Sequence, residues 1–373
     1  MRIERIDVFQ IDLPYSGGIY ALSGGRSYTS FDATIVCVTT DDGIEGWGES
    51  TPFGANYVAA HALGVRAGIA EMAPNLLGFD PRRVDRLNDL MDALLLGHPA
   101  AKTAVDVACW DIFGKSVDMP VCDLLGGRTR DRLPLISSIH LGDPADMRAR
   151  VNEHRECGYR GHSIKVGTLD AEGGPALDAA RVAEALADRQ PGEHFLVDAN
   201  GGMSVEHALR FLRLLPVGAD IVLEAPCATW RETVSLRRRT NVPIVLDELG
   251  DSSAALVQAI AEDVADGVGL KVSKNGGLTQ CRRHRDIAVA GGLTMSVQDT
   301  VGSEIAFAAL LHLAQTVPAH LLRCVLDVRG MVATQTADVE APIIDGGVSA
   351  PNRPGLGIEV DRSLLGEPVA SWT

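Results

Sequence analysis

The hydrophobic pattern divides the chain into two parts, and the first part combines strands with helices. Apolar and polar residues alternate, as they do in antiparallel strands, in the segments 2–14, 32–40 and 45–49. Residues 57–96 and 99–118 then change to the spacing of amphipathic helices. Strands that are followed by helices in this way predict an α+β unit over residues 1–127.

The second part begins near residue 130, where short apolar runs alternate with amphipathic stretches. These runs predict eight strands, at 134–138, 162–166, 194–198, 220–224, 243–247, 267–272, 293–299 and 320–324. Eight strands that alternate with helices predict a (β/α)8-type TIM barrel over residues 128–350. A doubly wound open sheet is the alternative, but it usually has fewer strands and a glycine-rich turn after the first strand, which SIHLGDP lacks. Residues 351–373 are expected to return to the first unit.

Composition and charge argue against several classes of protein. Hydrophobic residues make up 46% of the 373 residues, which is enough for a large core. The 34 Lys and Arg residues against 49 Asp and Glu residues give a net charge of −15, so we expect neither nucleic acid nor a membrane as a partner. The chain has no apolar run of membrane-spanning length, no secretory signal and no CxxC pair among its seven cysteines. These features predict a cytoplasmic protein with reduced cysteines.

Two of the predicted barrel strands contain a lysine among apolar residues. The second run lies in GHSIKVG, residues 161–167, and places Lys165 inside a strand that otherwise looks buried. The sixth run, GLKVS, carries Lys271 in the same way. Burying an ammonium group is costly because the group loses its water, so both positions require a compensating partner or a chemical role.

Three neighbouring predicted strands end in carboxylates. Asp198, Glu224 and Asp247 close the third, fourth and fifth runs, and the carboxyl ends of barrel strands carry the active site. Three carboxylates that converge on one point are unfavourable unless a cation lies among them, and oxygen-only ligands suit Mg²⁺. Each acid alone could instead cap the helix that follows it. Their common register on successive strands favours the metal site.

The two lysines lie on the strands that flank the three acids, so they are expected to face each other across the metal. One interpretation is that Lys165 and Lys271 only neutralise the carboxylates. The other is that burial and nearby positive charge lower the pKa of a lysine until it can act as a general base near neutral pH. In the second interpretation, a lysine takes a proton from a substrate held on the metal.

The whole chain resembles the enolase superfamily, in its muconate-lactonizing/mandelate-racemase branch. The resemblance rests on AVDVACWDIFGK and MPVCDLLGG in the first unit, and on the order of Lys165, the three acids, Lys271 and GG at 276–277. It implies a modified (β/α)7β barrel with an N-terminal α+β capping domain, and one Mg²⁺ per chain that the three acids hold. It also implies that Lys165 and Lys271 act as an acid/base pair, which moves the proton next to a substrate carboxylate through an enediolate.

The strand that carries Lys165 departs from the usual pattern of the branch. Related lactonizing enzymes usually read Lys-x-Lys there, whereas this chain reads Ser163-Ile164-Lys165. The base is retained, and the replacement of the supporting lysine by Ser163 is expected to alter its pKa. Asn200 and Glu248, which follow two of the acids closely, are expected to support the site in the same way as Ser163.

Several local motifs resemble the family members that act on proline derivatives, the cis-3-hydroxyproline dehydratases and the hydroxyproline-betaine epimerases. The motifs are LSGG at 22–25, SSI at 137–139, HSIKVG, EAPC at 224–227 and the ending LLGEPVAS. They imply a small carboxylate substrate with a cationic nitrogen, and either dehydration of a hydroxyproline or two-base epimerisation. We also expect a homo-oligomer.

Four further residues are candidates for contact with the substrate. Asp299, in VQDTVG at the seventh strand end, is expected to meet the substrate ammonium, or else to be the N-cap of the next helix. Tyr57, Ser23 and Arg26 belong to loops of the first unit and are expected to close over the substrate, or else to be exposed loop residues.

Other classes of function explain the residues less well. A Schiff-base aldolase would use a buried lysine but would leave three convergent acids unexplained. A hydride-transferring barrel enzyme resembling the aldo-keto reductases would need a tyrosine in the barrel, and all five tyrosines precede the second barrel strand. A non-catalytic binding module would be favoured if one of the acids or both lysines were missing.

Overall fold

The N-terminal sheet contains the three predicted strands and the last strand of the chain. In this computed structural model, which describes residues 1–373, four antiparallel strands pair in the order β17-β1-β4-β5. They are β1 (Ile3–Pro14), β4 (Ser30–Thr40), β5 (Glu45–Ser50) and β17 (Ala370–Trp372). A short hairpin, β2 (Tyr20–Ala21) with β3 (Ser27–Tyr28), lies between β1 and β4. Ile6 pairs with Trp372, so the C-terminal segment returns to this sheet.

Four helices follow the sheet: α1 (Ala62–Leu76), α2 (Val84–Leu94), α3 (Pro99–Ser116) and α4 (Val121–Leu124). The prediction of helical structure over 57–96 was wrong in two places. Residues 57–61 form a loop, because helix α1 begins only after the N-cap His61. Gly78 adopts a left-handed φ of 77°, which interrupts the helical pattern between α1 and α2. We call residues 15–29 and 51–61 the cap loops.

The second unit is a closed parallel barrel, as predicted. Its eight strands are β6 (Leu133–Ile139), β7 (Gly161–Lys165), β8 (His194–Asp198), β9 (Val222–Glu224), β10 (Ile244–Leu246), β11 (Gly267–Lys271), β12 (Thr294–Gln298) and β13 (Leu322–Leu326). Pairing of β13 with β6 closes the ring, so the open-sheet alternative was wrong.

Helices fill the connections between the barrel strands. They are α5 (Pro144–Glu156), α6 (Gly174–Leu186), α7 (Val205–Leu214), α8 (Trp230–Arg237), α9 (Ser253–Glu262), α10 (Val272–Asn275), α11 (Leu278–Gly291) and α12 (Glu304–Ala314). A single turn at Arg329–Met331 follows β13 in place of a helix, which gives the modified (β/α)7β form. None of the helices in the chain has both the length and the apolar character that crossing a membrane requires.

Short elements complete the chain after the barrel. They are β14 (Ala337–Val339), β15 (Gly347–Val348), β16 (Ile358–Val360) and α13 (Arg362–Leu365). Strand β14 pairs with β16, and β15 pairs with the first barrel strand, β6. The largest hydrophobic cluster includes Trp47 and Trp110 of the first unit together with barrel residues, so the two units share one core.

Two buried carboxylates of the first unit hold it to the barrel. Asp106 in α3 accepts a hydrogen bond from the backbone N–H of Thr279, in the first turn of α11, at 3.0 Å. Glu49 in β5 accepts one from the backbone N–H of Ser303, at the start of α12, also at 3.0 Å. Negative charge at a helix N-terminus is favourable because the first N–H groups lack partners within the helix. These contacts position the cap loops over the carboxyl ends of the barrel strands.

Candidate active site

The register of the barrel strands brings the predicted lysines and acids to one end. Lys165 pairs with Asp198, and Asp198 pairs with Glu224, on three adjacent parallel strands. Asp247 directly follows β10, and Lys271 ends β11. All five side chains are buried. Paired residues on neighbouring parallel strands point to the same side of the sheet. The lysines and acids at the strand ends therefore lie close together in space.

Each lysine binds one of the acids. Lys165 Nζ donates a very short hydrogen bond to Asp198 Oδ2, and Lys271 Nζ donates one of 2.5 Å to Asp247 Oδ2. A third lysine that sequence analysis missed, Lys274 in the one-turn helix α10, lies 3.0 Å from Asp247 Oδ1. Its position three residues after Lys271, in SKNGG, is the only sequence signal that could have found it.

The expected lowering of the lysine pKa was wrong for the arrangement in this structure. Burial is the largest single effect on Lys165 and opposes its ammonium form, but Asp198 and Tyr20 together raise its pKa above the ordinary value. Burial is likewise the largest single effect on Lys271 and opposes its ammonium form, but Asp247, with Tyr57, Glu248 and Asp198, raises the pKa of Lys271 well above its ordinary value. The groups around each lysine therefore together outweigh its desolvation, which no single contact is shown to do.

The carboxylates act strongly on one another. Burial, followed by the charges of Asp198 and Asp247, raises the pKa of Glu224 well above its ordinary value. Glu224 Oε1 also accepts a 2.7 Å hydrogen bond from Gln298 Nε2, a contact that sequence analysis did not identify. Gly269 leaves room between these groups: a Cβ there would lie 3.3 Å from Glu224 Oε1 and 3.5 Å from Asp247 Oδ1.

This donor set fits a hard divalent cation. Its ligand atoms would all be carboxylate oxygens, and their mutual repulsion is the condition that such a cation relieves. The side chains as placed do not form a ready-made group of three or more metal-ligating residues. Lys165 and Lys271 each occupy one carboxylate oxygen, Oδ2 of Asp198 and Oδ2 of Asp247.

Asn200 contacts both Asp198 and Glu248. The Asn200 backbone N–H donates to Asp198 Oδ1 at 2.9 Å, and its Nδ2 donates to Asp198 Oδ2 at 3.0 Å and to Glu248 Oε1 at 3.2 Å. Asn200 reaches these atoms with a left-handed φ of 43°. Burial and the charge of Asp247 raise the pKa of Glu248 to about 7. Asn200 Oδ1 and Glu248 Oε2 are buried without hydrogen-bond partners, so the site retains unused acceptors.

A narrow cavity lies between the cap loops and the barrel strand ends. Five predicted site residues line it: Ser163, Lys165, Lys271, Asp299 and Tyr57. The cap loops contribute Tyr20, Leu22 and Phe53, and the barrel contributes further side chains, among them Ser138, Gln298 and Thr300. Both lysines therefore face the same cavity, which we call the catalytic cavity.

Asp299 lies in the catalytic cavity but does not cap the helix after it. The N-cap of α12 is Ser303, so that alternative was wrong. Asp299 instead accepts hydrogen bonds from the backbone N–H groups of Ser273, at 3.2 Å, and Thr300, at 2.8 Å. Burial raises the pKa of Asp299 to about 6. Its carboxylate links the loops after β11 and β12 and faces the cavity from there.

The three cap residues occupy two different positions. Tyr57 Oη accepts a hydrogen bond of 2.5 Å from Lys271 Nζ, and the lysine nitrogen lies 4.9 Å from the centre of the tyrosine ring. Ser23 and Arg26 do not line the catalytic cavity. Arg26 Nη2 donates to Ser23 Oγ at 2.7 Å and to the carbonyl of Asn200 at 3.2 Å, so this pair fastens the first cap loop to the barrel.

Tyr20 and Ser138 are site residues that sequence analysis did not identify. Tyr20 Oη and Ser138 Oγ lie 2.5 Å apart in the wall of the catalytic cavity. Ser138 pairs with Ser163 across β6 and β7, which places it beside the strand of Lys165. The SSI motif contains Ser138, but nothing in the sequence indicates that a two-residue hairpin would bring Tyr20 to it.

Comparisons with known proteins agree with this architecture. The model of the mandelate racemase/muconate lactonizing enzyme N-terminal domain matches residues 26–126, and the enolase C-terminal domain-like model matches residues 146–364. The cis-3-hydroxy-L-proline dehydratase of Roseibium aggregatum is 38% identical over 373 residues, with 100% of both chains covered. The N-succinyl-L-Arg/Lys racemase of Bacillus cereus is 30% identical, with 98% of each chain covered.

A solved structure of the same architecture contains a metal. It comes from Roseovarius nubinhibens ISM, was assigned to mandelate racemase/muconate lactonizing enzymes and is complexed with magnesium. Its chain matches this one with a TM-score of 0.98 and 57% sequence identity, and 100% of both chains is covered. The domain matches and the full-length relatives lead to one conclusion. The chain is an enzyme of the enolase superfamily and belongs to its mandelate racemase/muconate lactonizing enzyme family.

Proposed function

We propose that this enzyme dehydrates a hydroxyproline-type imino acid, as a cis-3-hydroxy-L-proline dehydratase does. The observation that carries the proposal is the pair Lys165 and Lys271, which line one cavity from strands on either side of three acid-bearing strands. Full-length similarity to the Roseibium aggregatum dehydratase supports the choice of substrate class.

Asp198, Glu224 and Asp247 are the residues that would hold one Mg²⁺. When bound, such an ion acts as a Lewis acid that stabilises the negative charge appearing on the substrate carboxylate as the α-proton leaves. Asp198 and Asp247, once neutralised by a cation, would raise the pKa of their lysine partners less than they do in the ion pairs. The magnesium-complexed structure from Roseovarius nubinhibens supports this assignment.

The two lysines would divide the proton transfers of the elimination. One lysine, as the free amine, accepts the α-proton, and the C–H electrons form a double bond between the α- and β-carbons. The bond from the β-carbon to the hydroxyl oxygen breaks, and an ammonium group protonates the departing hydroxide to give water. The opposite lysine is in the cavity wall and can supply that proton.

Asp299 would bind the substrate nitrogen. Its carboxylate faces the cavity, and Oδ2 accepts only one hydrogen bond, from the Ser273 N–H. A cationic ring nitrogen next to a carboxylate would therefore meet a partner of opposite charge. Tyr57 closes the same cavity from the cap loop and would exclude water from the reacting atoms.

A racemase or epimerase acting on proline or hydroxyproline derivatives is the second candidate. Two lysines in one cavity suit a 1,1-proton transfer, in which one base removes the proton from one face and the other returns a proton to the opposite face. The Bacillus cereus racemase, 30% identical, favours this alternative. We also expect the chain to form a homo-oligomer, which light scattering during size exclusion would test.

Proton NMR in D₂O distinguishes the two reactions. The Mg²⁺-loaded enzyme is incubated separately with cis-3-hydroxyproline, trans-3-hydroxyproline, proline and hydroxyproline betaine. Loss of the β-proton pattern of a 3-hydroxyproline, with formation of an unsaturated product, is the expected result. Formation of the other α-epimer, with deuterium at the α-carbon and the hydroxyl group retained, would establish epimerisation instead. An absence of both elimination and exchange on all four compounds would contradict the proposed substrate class.

A further inference from the structure

A second cavity adjoins the catalytic cavity and is much more polar. It lies between the end of β1, the end of β6, helix α5 and the segment after β13. Ser138 and Met331 line both cavities, so one wall is shared. Tyr15 in the second cavity stacks edge-on against Tyr20 of the first at 5.1 Å between ring centres. We call this second space the Arg150 cavity.

Arg150 has no acidic partner. Its only hydrogen bond is from Nη1 to the carbonyl oxygen of His140, at 3.3 Å. The other two arginines of α5 are fully engaged: Arg148 binds Glu184 and Asp188, and Arg155 binds Glu193 through two nitrogens. A guanidinium group carries five N–H donors in a planar fork that matches a carboxylate, so Arg150 retains most of its binding capacity.

Neutral hydrogen-bonding groups line the same cavity as the Arg150 guanidinium. Tyr15 Oη and His140 Nδ1 lie 2.9 Å apart, and His154 Nδ1 has no hydrogen-bond partner. Burial, together with the charge of Arg150, lowers the pKa of His140 to about 4, so its imidazole is uncharged at neutral pH. Uncharged donors beside a single free cation form a site for one negative charge rather than for a cation.

The acids at the Arg150 cavity do not neutralise Arg150. Asp327 is already bound by Arg329, at 2.8 Å, and by the hydroxyl of Tyr159, at 3.0 Å. Glu153 is exposed at the rim and makes no ion pair with Arg150. One positive charge without an acidic partner therefore remains in the Arg150 cavity.

We infer that the Arg150 cavity binds a small molecule that carries a carboxylate group. Arg150 would bind this group, and the oxygens of the ligand that Arg150 does not bind would lie within reach of Tyr15 and His140. The site is separate from the metal-binding acids and does not depend on the proposed reaction. Its shared wall with the catalytic cavity, at Ser138, gives two sources for the ligand: the substrate or product itself, or a different carboxylate that occupies the neighbouring space.

Calorimetric titration of the full-length enzyme with malonate tests this inference. The titration is run with Mg²⁺ and again with EDTA, because a carboxylate in the catalytic cavity would depend on the metal and one on Arg150 would not. We expect EDTA-resistant binding that Arg150→Gln weakens about tenfold or more and that Arg150→Lys weakens less. Arg148→Gln, on the same helix but outside the cavity, should leave it unchanged.

Some outcomes of this experiment identify the kind of ligand, and others contradict the inference. Competition between L-proline and malonate for the EDTA-resistant site would identify the ligand as a substrate-type acid, and lack of competition would identify a different carboxylate. Wild-type enzyme without EDTA-resistant binding would overturn the inference, as would equal weakening by Arg150→Gln and Arg148→Gln. Neither result would bear on the proposed dehydration, which the NMR experiment tests separately.

Discussion

The charged strand ends and the cap loops above them are held by different interactions. Lys165, Asp198 and Glu224 stand in register on adjacent parallel strands, so the backbone ladder itself places them. The cap loops depend on individual side chains, such as Arg26 on the Asn200 carbonyl and Tyr57 on Lys271. The comparison suggests that the barrel supplies the chemical step and that the cap loops govern how the substrate is held. Changes in the two regions should therefore have different kinetic effects.

Removal of a metal-ligand candidate should have the largest effect. Glu224→Gln keeps the shape of the side chain but removes a charge from the three carboxylates, and we expect turnover to fall about 10⁴-fold, since metal Lewis-acid catalysis contributes several kcal/mol. EDTA should abolish turnover in the wild type, and Mg²⁺ should restore it. Glu206→Gln, an exposed acid on α7, is the control. Unchanged turnover after both treatments would show that the acids bind no catalytic metal.

Substitution of the lysines should lower turnover somewhat less than removal of a metal-ligand candidate does. Lys165→Arg and Lys271→Arg preserve a positive charge for Asp198 and Asp247 but remove a base of suitable pKa. We expect kcat to fall about 10³-fold in each variant, within the usual contribution of a positioned acid or base. Wild-type kcat in both arginine variants would instead support the interpretation that the lysines only neutralise the acids.

The charge of Asp299 should affect substrate binding more than the chemical step. Asp299→Asn removes the proposed partner of the substrate nitrogen, and we expect KM for an imino acid to rise about tenfold or more while KM for a neutral hydroxy acid changes little. Steady-state kinetics with both substrates measure the difference. An equal rise for the two would indicate that Asp299 only links the loops through Ser273 and Thr300.

The cap loops should give smaller effects that fall mainly on KM. Tyr57→Phe removes the hydroxyl that bonds Lys271 but keeps the ring, and we expect kcat/KM to fall about tenfold, as for one lost hydrogen bond to a charged group. Ser23→Ala, which lies outside the cavity, should change it by only about two- to threefold. A larger loss in Ser23→Ala than in Tyr57→Phe would reverse the assignment of the two positions.

Substitution of Asp106, which joins the two units, should affect the stability of the protein and not its kinetics. Burial raises the pKa of Asp106 to about 6, so the folded protein binds a proton there more tightly than the unfolded chain does. Protonation of Asp106 therefore stabilises the folded state. This stabilisation is complete below about pH 4 and is lost as the pH rises to about 6, which lowers the free energy of unfolding by about 3 kcal/mol. Relative to wild type, Asp106→Asn should gain stability over this interval in urea unfolding, whereas the exposed Asp12→Asn should not. Parallel curves for wild type and Asp106→Asn would contradict this.

The barrel and its charged strand ends could be predicted because both follow from periodicity. Once eight strands are recognised, Asp198, Glu224 and Lys271 must meet at one end. The pKa of the lysines could not be predicted in the same way, since it depends on which oxygen each ammonium contacts rather than on register.

Features that depend on loops were the hardest to predict. Residues 57–61 carry helical spacing but form a loop, and Tyr20 enters the site from a two-residue strand. Lys274 reaches Asp247 from a one-turn helix that is too short to leave a periodic signal. Local sequence does not encode such placements because tertiary contacts determine them.

Deuterium exchange by the single-lysine variants tests the central claim most directly. Lys165→Ala and Lys271→Ala are each incubated in D₂O with both enantiomers of proline or of the best substrate, and α-proton exchange is followed by ¹H NMR. If the lysines act on opposite faces, each variant should lose net turnover, and the two variants should retain exchange on opposite enantiomers. Wild-type turnover in Lys165→Ala would contradict the account, because Lys165 would then serve only as a counter-ion to Asp198.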